Sequence, residues 1–285
     1  MKTAKMKTLI SLRTKTNPKF FKYPTCIKPF LVAYSFRRHI TLIILTFFIT
    51  AIASAKCENN GIYCLSKSPI LNKNGIIILE FYSASQLLIP DLNKKYPVYL
   101  KSTQDKVQLA VIETLKGEMN ETQIILKPVS ELIVNEIYSL QIDNLPKYER
   151  KPARYNYSSN KWEELTFKIS QSVDNDIPVF KSTPREQKKT LKLLGCGPES
   201  WVYFNMAGQD KSELFVRTYV KNKATGKITT YILSIENGSV KVGRGMCSGA
   251  FNIDIGGNFE VSFQLYDQSG NKSRMTNAIA FTNPI

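Results

Sequence analysis

From residue 76 onward the chain is written in short apolar or alternating runs separated by turn residues. Ile76 to Phe81 is apolar except for Glu80, opens with three β-branched residues, and is short enough to be a strand. Tyr96 to Leu100 alternates, and so does Val107 to Ile112, which puts Val107, Leu109 and Val111 on one face. Lys116 to Asn120 reads as a turn. Thr122 to Leu126 follows as a strand that Pro128 ends. Ile137 to Leu145 alternates again, with Tyr138, Leu140 and Ile142 on one side. Tyr155 to Tyr157, a turn at 158–161, and Trp162 to Ile169 predict a hairpin. The best helical stretch, Ser85 to Leu92, is one or two turns long, and no segment sustains a helical apolar stripe.

The polar, aperiodic stretch Gln171 to Pro178 marks a boundary. Beyond it, strands are expected at Trp201–Phe204, Leu214–Val220, Thr229–Ile235, Ser239–Val242, Phe259–Tyr266 and Ala278–Phe281. Asn222 to Lys227 and Gly256-Gly257-Asn258 supply turns, and Asn237-Gly238 is the strongest hairpin signal. Strands roughly 8–12 residues apart predict an all-β protein of two sandwiches in tandem. The first spans 56–173, a linker 174–178, and the second 179–285.

The order of an early Pro69, the strand ending at Phe81, the run Thr122–Leu126 with Pro128, then Leu132 and Tyr138 to Leu145 resembles bacterial Ig-like domains of S-layer and other exported proteins. The run Phe259 to Tyr266 followed by Asp267, Gly270, Asn271 and Ser273 resembles the penultimate strand and loop of Ig-like and fibronectin-type modules. Such domains serve as spacers or display modules, so the resemblance implies architecture more than activity. Asp267 and Asn271 offer two oxygen ligands, where calcium takes six to eight. They are read as holding a turn in which Gly270 takes the left-handed conformation, and no metal or cofactor is expected.

The segment ahead of all this changes the charge picture. Arg37-Arg38 precede an uncharged apolar run, Ile40 to Ile52, which ends in Ala53-Ser54-Ala55. That is the order of a secretory signal peptide, with cleavage expected after Ala55 and none of the mature chain long and apolar enough to span a membrane. The basic arm is longer than usual, which leaves the translation start open. Lys56 stands where lipid attachment at Cys57 would want a small residue. Ten of the 39 basic residues and no acidic ones fall in this leader. The formal charge of +16 therefore shrinks to +6 for 56–285 (29 basic, 23 acidic). Nucleic acid loses its main support as a partner. Export places the protein in the periplasm, on the outer surface or in the medium.

Export also permits disulfides. Four cysteines follow the leader, and of three connectivities the expected one is Cys57–Cys64, closing a loop around Asn59-Asn60-Gly61, with Cys196–Cys247. The one histidine, His39, leaves with the leader, which removes His-dependent nucleophiles and His-containing catalytic zinc sites. No phosphate loop or dinucleotide fingerprint is present. Adjacent Glu163 and Glu164 point to opposite faces of a strand. No catalytic residue is therefore assigned.

Trp162 and Trp201 are expected in the cores. The sharper alternative makes Tyr155, Tyr157 and Trp162 an exposed, coplanar platform for carbohydrate or peptide. The favoured reading is an exported, non-catalytic envelope protein that binds or displays through loops, sheet edges or an aromatic face. Its partner would be an envelope protein or glycan. A carbohydrate-binding module is the alternative. A carboxylate-dependent hydrolase comes last, and would require a concave site holding two acidic side chains.

Overall fold

The computed structural model describes residues 60–156, 159–195, 197–253 and 257–284. The expected leader, Cys57, Tyr157 and Cys196 lie outside them. All described residues belong to one compact unit, and the architecture is an all-β sandwich fold.

The first half contains β1 (Gly61–Cys64), β2 (Ile70–Leu71), β3 (Ile77–Tyr82), β4 (Val98–Lys101), β5 (Lys106–Lys116), β6 (Glu121–Pro128), β7 (Ile137–Ile142), β8 (Ala153–Asn156), β9 (Lys161–Glu164) and β10 (Thr166–Ile169). The helical stretch is a 3-10 helix over Ser83–Asp91. The strands form one continuous sheet in the order β2-β10-β7-β4-β5-β6-β3-β1-β8-β9. It folds over on itself at β5. Residues 106–108 of that strand pair with β4, and the remainder pairs with β6. A bulge between Val111 and Glu113 makes the bend. It also reverses the facing of side chains. Val107 and Leu109 enter the core of the first sandwich, whereas Leu115 enters that of the second.

Trp162 to Ile169 is not one strand. It divides at fully buried Leu165, so that β9 joins one edge of the sheet and β10 pairs with β7 and β2 at the other. The hairpin of β8 with β9 is present.

The second half contains β11 (Val179–Phe180), β12 (Glu186–Leu194), β13 (Gly197–Asn205), β14 (Gly208–Gln209), β15 (Leu214–Asn222), β16 (Ile228–Ser234), β17 (Ser239–Arg244), β18 (Asn258–Asp267) and β19 (Ile279–Thr282). A three-stranded sheet, β12-β13-β17, faces a four-stranded one, β16-β15-β18-β19. Phe204, Phe263 and Phe281 meet edge to face between them, with centroids 5.2 and 5.6 Å apart. Asn237 and Gly238 both take positive φ, as a tight turn requires. Yet that turn sends β16 and β17 into different sheets instead of pairing them.

The two sandwiches do not behave as separate beads on a linker. Ile76, Ile78 and Ile125 point away from the first core and into the second, which explains why β3 and β6 read as unbroken apolar runs. Arg217 grips Glu113 with two hydrogen bonds. Gln123 bonds both ways with the Ile232 backbone, at 2.7 and 2.9 Å. The β5–β6 turn pairs Met119 with Gly249. The stretch expected to be a linker is held too, because the Asp174 backbone bonds in both directions with the Asn74 side chain.

Candidate functional site

The seam between the sandwiches closes tightly at the β5–β6 turn and opens into a cleft of about 450 Å³ beside it. Strand register builds one wall. Glu80 lies between Gln123 on β6 and Tyr63 on β1, and Tyr82 lies opposite Glu121. Tyr155 faces Trp162 across the outer hairpin. Partners directly opposite share a face, so a row of side chains runs from carboxyls to aromatic rings. Tyr231, Leu233, Trp201 and Gly243 of the second sandwich form the other wall.

Two glycines shape the site. Gly61 has φ of +147°, and a Cβ there would lie 2.5 Å from the Tyr63 hydroxyl. Gly243 has φ of +143°, and its Cβ would meet the Ser200 carbonyl at 2.1 Å. A side chain at either position would strain the backbone and crowd the wall.

The aromatic part is continuous. Tyr63 contacts Tyr82 at 5.5 Å and Trp162 at 4.6 Å, and Trp162 contacts Tyr155 at 5.1 Å. Trp162 is 53% exposed and Trp201 is half-buried in the cleft wall, so neither is the core residue the sequence suggests. The reason is that Trp162 lies on β9, an edge strand whose residues are all exposed. The rings are not coplanar either. Trp162 stands at 62° to Tyr155 and 36° to Tyr63, which makes a stepped wall in place of a flat platform.

The acidic part is buried at Glu121 and half-buried at Glu80. Glu80 accepts hydrogen bonds from Gln123 Nε2 at 2.9 Å and the Tyr82 hydroxyl at 3.1 Å. Burial nevertheless pushes its carboxyl above the ordinary range. Glu121 is only 7% exposed, and burial together with the neighbouring Glu80 pushes it up to about 8. The Tyr231 hydroxyl, fully buried, faces this carboxyl without a hydrogen bond of good geometry. Burial and the same two carboxyls raise the Tyr231 and Tyr82 phenols. At neutral pH, then, Glu121 carries a proton. Lys67 and Lys241 stand at the rim, both against Glu236. The sequence carries one hint of this floor, since Glu80 is the single charge inside an apolar run. Glu121 follows a turn and carries none.

Cys64 lines the same cleft as a free thiol, which corrects the expected Cys57–Cys64 bridge. Residues 61–64 run as an extended strand paired with β3, in place of the loop expected there. Burial raises this thiol to about 11 despite nearby Arg154. Cys247 is disulfide-bonded, to a partner outside the described residues.

A second cluster joins Asp174, Asp210 and Asp267, whose carboxylate oxygens lie within 4.8 Å of one another. The Asp267 turn is as expected, with Asp267 accepting from the Ser269 and Asn271 amides and Gly270 at φ of +91°. Burial tends to raise Asp174, but hydrogen bonds from Ser212, the Asp176 amide and Asp210 outweigh it and hold it low. Burial and Asp174 raise Asp210. Giving one oxygen each, the three supply half or fewer of the oxygens a calcium ion takes. Their demonstrable work is to pin residue 174 to the second sandwich.

Among the described residues no helix is long and apolar enough to cross a membrane. No protein-family model matches the chain, and no curated protein matches it. Among solved structures, a pullulanase from Anoxybacillus sp. LM18-11 is 9% identical with a TM-score of 0.23, over 75% of this chain and 25% of that one. A cytokine receptor complex is 8% identical with a TM-score of 0.23, over 78% of this chain and 95% of that one. A type I pullulanase from Bacillus subtilis str. 168 complexed with maltose is 11% identical with a TM-score of 0.20, over 77% and 25%. The chain thus spans a quarter of the pullulanase chains, and likeness at these scores carries no functional argument.

Proposed function

We propose that this chain is an exported, non-catalytic binding protein of the cell envelope, built from two Ig-like sandwiches, that takes its ligand in the cleft between them. The observation that carries this reading is the half-exposed Trp162 ring, stacked in a row of aromatics that leads into a concave, partly buried site. Large aromatic rings with polar neighbours in a cleft are the usual material of a ligand site. The pairing order of the second half supports the Ig-like or fibronectin-like assignment. Its first, second and fifth long strands form one sheet, and its third, fourth, sixth and seventh form the other. The apolar run before Ala55 and the disulfide at Cys247 support export.

A carboxylate-dependent hydrolase is the second reading, because Glu80 and Glu121 do occupy a concave site. It is less favoured. Both stand on neighbouring strands of one wall, whereas glycosidases place their two carboxyls on either side of the bond they break.

Both tryptophans of the protein line the cleft, so tryptophan fluorescence, excited selectively at the red edge, reports on it. Titration of envelope glycan fragments, peptides and amines should identify a ligand that changes this emission, and Trp162→Ala should abolish its binding. A ligand that binds the protein and its Trp162→Ala variant equally would overturn the proposal. Turnover of a glycan that ceases in Glu121→Gln would favour the second reading.

A further inference from the structure

Resting on the cleft as the binding site, we propose that it recognises an organic cation, with an ammonium or guanidinium group seated on Glu80 and Glu121 and the attached carbon chain against Tyr63 and Trp162. Four observations on the wall and rim point to a cation.

Glu80 and Glu121 project into the cleft from one face of adjacent strands. Diagonal neighbours of this kind sit roughly 7–8 Å apart at the backbone, within reach of one small cation held between their ends. Among the described residues, neither carboxyl has an ion-pair partner. Glu80 is met only by an amide and a phenol, and Glu121 faces the Tyr231 hydroxyl. Tyr231 is 1% exposed, and its hydroxyl meets Glu121 without a hydrogen bond of good geometry, so a buried polar group in the opposite wall has room for a better partner.

None of the nearby cations pairs with Glu80 or Glu121 among the described residues. Lys67 and Lys241 both stand against Glu236, and Arg154 donates to the carbonyls of Ser66 and Thr166 while its Nη2 makes no hydrogen bond. Among the described residues the pair is relieved by a proton on Glu121 and by no cation, and ionising both carboxyls here without a cation is costly. An anionic ligand gains nothing from Glu80 and Glu121 and would hold the pair protonated. A neutral sugar can hydrogen-bond to it but leaves its charge uncompensated. A cation meets both demands, and aromatic rings beside it add cation–π attraction.

Seating a cation must expel the proton that Glu121 holds at neutral pH. The groups that face this carboxyl are Glu80 and Tyr82 on β3, Tyr63 on β1 and Tyr231 on β16, and the phenols stay neutral throughout. Apparent affinity is therefore linked to pH. It rises about tenfold per unit up to about pH 8 and levels off above it.

The test is a calorimetric and fluorescence titration of the purified protein with N-acetyl-lysine methylamide, N-acetyl-arginine methylamide, spermidine, a lysine-containing peptide, the uncharged N-acetyl-norleucine methylamide, and maltotriose. The expected result is binding by the cations with altered tryptophan emission, at least tenfold weaker binding by the norleucine compound, and an affinity gain between pH 6 and 8. That gain should vanish in Glu121→Gln. Comparing peptide with spermidine separates a protein side chain from a free amine as the source of the cation. Binding by maltotriose equal to or tighter than the cations, without pH dependence, overturns the cation assignment and leaves the cleft as the site. Binding by none of the probes also overturns the assignment. A ligand of any class that binds with both indoles unperturbed overturns the cleft reading itself.

Discussion

Replacing Glu121 by glutamine keeps the shape of the protonated side chain and removes its ionisation. The folded protein holds this proton up to about pH 8, whereas an ordinary carboxyl releases it near 4.5. Between those values the folded state holds a proton that the unfolded chain has lost, so this group's contribution to stability is fully present below pH 4.5 and is lost as pH rises through about 8. At about 1.4 kcal/mol per pH unit, the ceiling on the loss is about 5 kcal/mol. Glu80 titrates with Glu121 and shares the burden, so about 2–4 kcal/mol is the working figure for the site. Urea unfolding of the parent and Glu121→Gln at pH 5, 6, 7 and 8, followed by circular dichroism, measures it. The parent should lose stability across this range while the variant changes much less, and at pH 8 the variant should be the more stable of the two. A variant less stable than the parent at pH 8, or two curves of equal slope, would refute the reasoning.

Trp162→Ala should cost less than about 1 kcal/mol in the same assay, because the ring is half-exposed on an edge strand, while abolishing ligand binding. Cys64 should react with Ellman's reagent only after denaturation, since a thiol of pKa about 11 is about 0.1% thiolate at pH 8; full resistance even when unfolded without reductant would reveal a disulfide. Glu113→Gln leaves the nearly buried Arg217 guanidinium with a neutral partner and should destabilise the protein by about 1–3 kcal/mol, with a lower melting temperature as the readout. Gly61→Ala places a Cβ at positive φ against Tyr63 and should cost about 1–3 kcal/mol and change tryptophan emission; an unchanged spectrum and melting temperature would contradict the role given to that glycine.

The strands that positioned themselves by alternation were the readable ones. β7 buries Tyr138, Leu140 and Ile142 and exposes or half-exposes the residues between, and both facts are visible in its residues. β3 and β6 are readable as apolar runs, although the reason they lack alternation is a second sandwich packed on their outer face. β12 gives no such signal. Its lysine-rich residues form the edge of a small sheet, where charge protects against unwanted pairing and neither face is buried. The bulge at Ile112 and the sheet switch at Leu165 are single-residue events that pattern reading passes over. Trp162 illustrates the limit for the site. Its residue type argues for burial, and only the edge position of β9 exposes it. Glu80, Glu121 and Tyr231 meet because two sandwiches dock, and Asp174, Asp210 and Asp267 converge for the same reason. Contacts across such a seam leave no mark on local spacing.

The most direct test of the cleft as a binding site is a nitrogen-15 NMR titration that follows the two indole N–H signals, because Trp162 and Trp201 are the protein's only tryptophans and both line it. Adding N-acetyl-lysine methylamide should shift both signals together with the amides of Tyr63, Glu80, Glu121 and Tyr231, and Trp162→Ala should remove the response. Saturable shifts confined to other residues, with both indoles unmoved, would contradict the account.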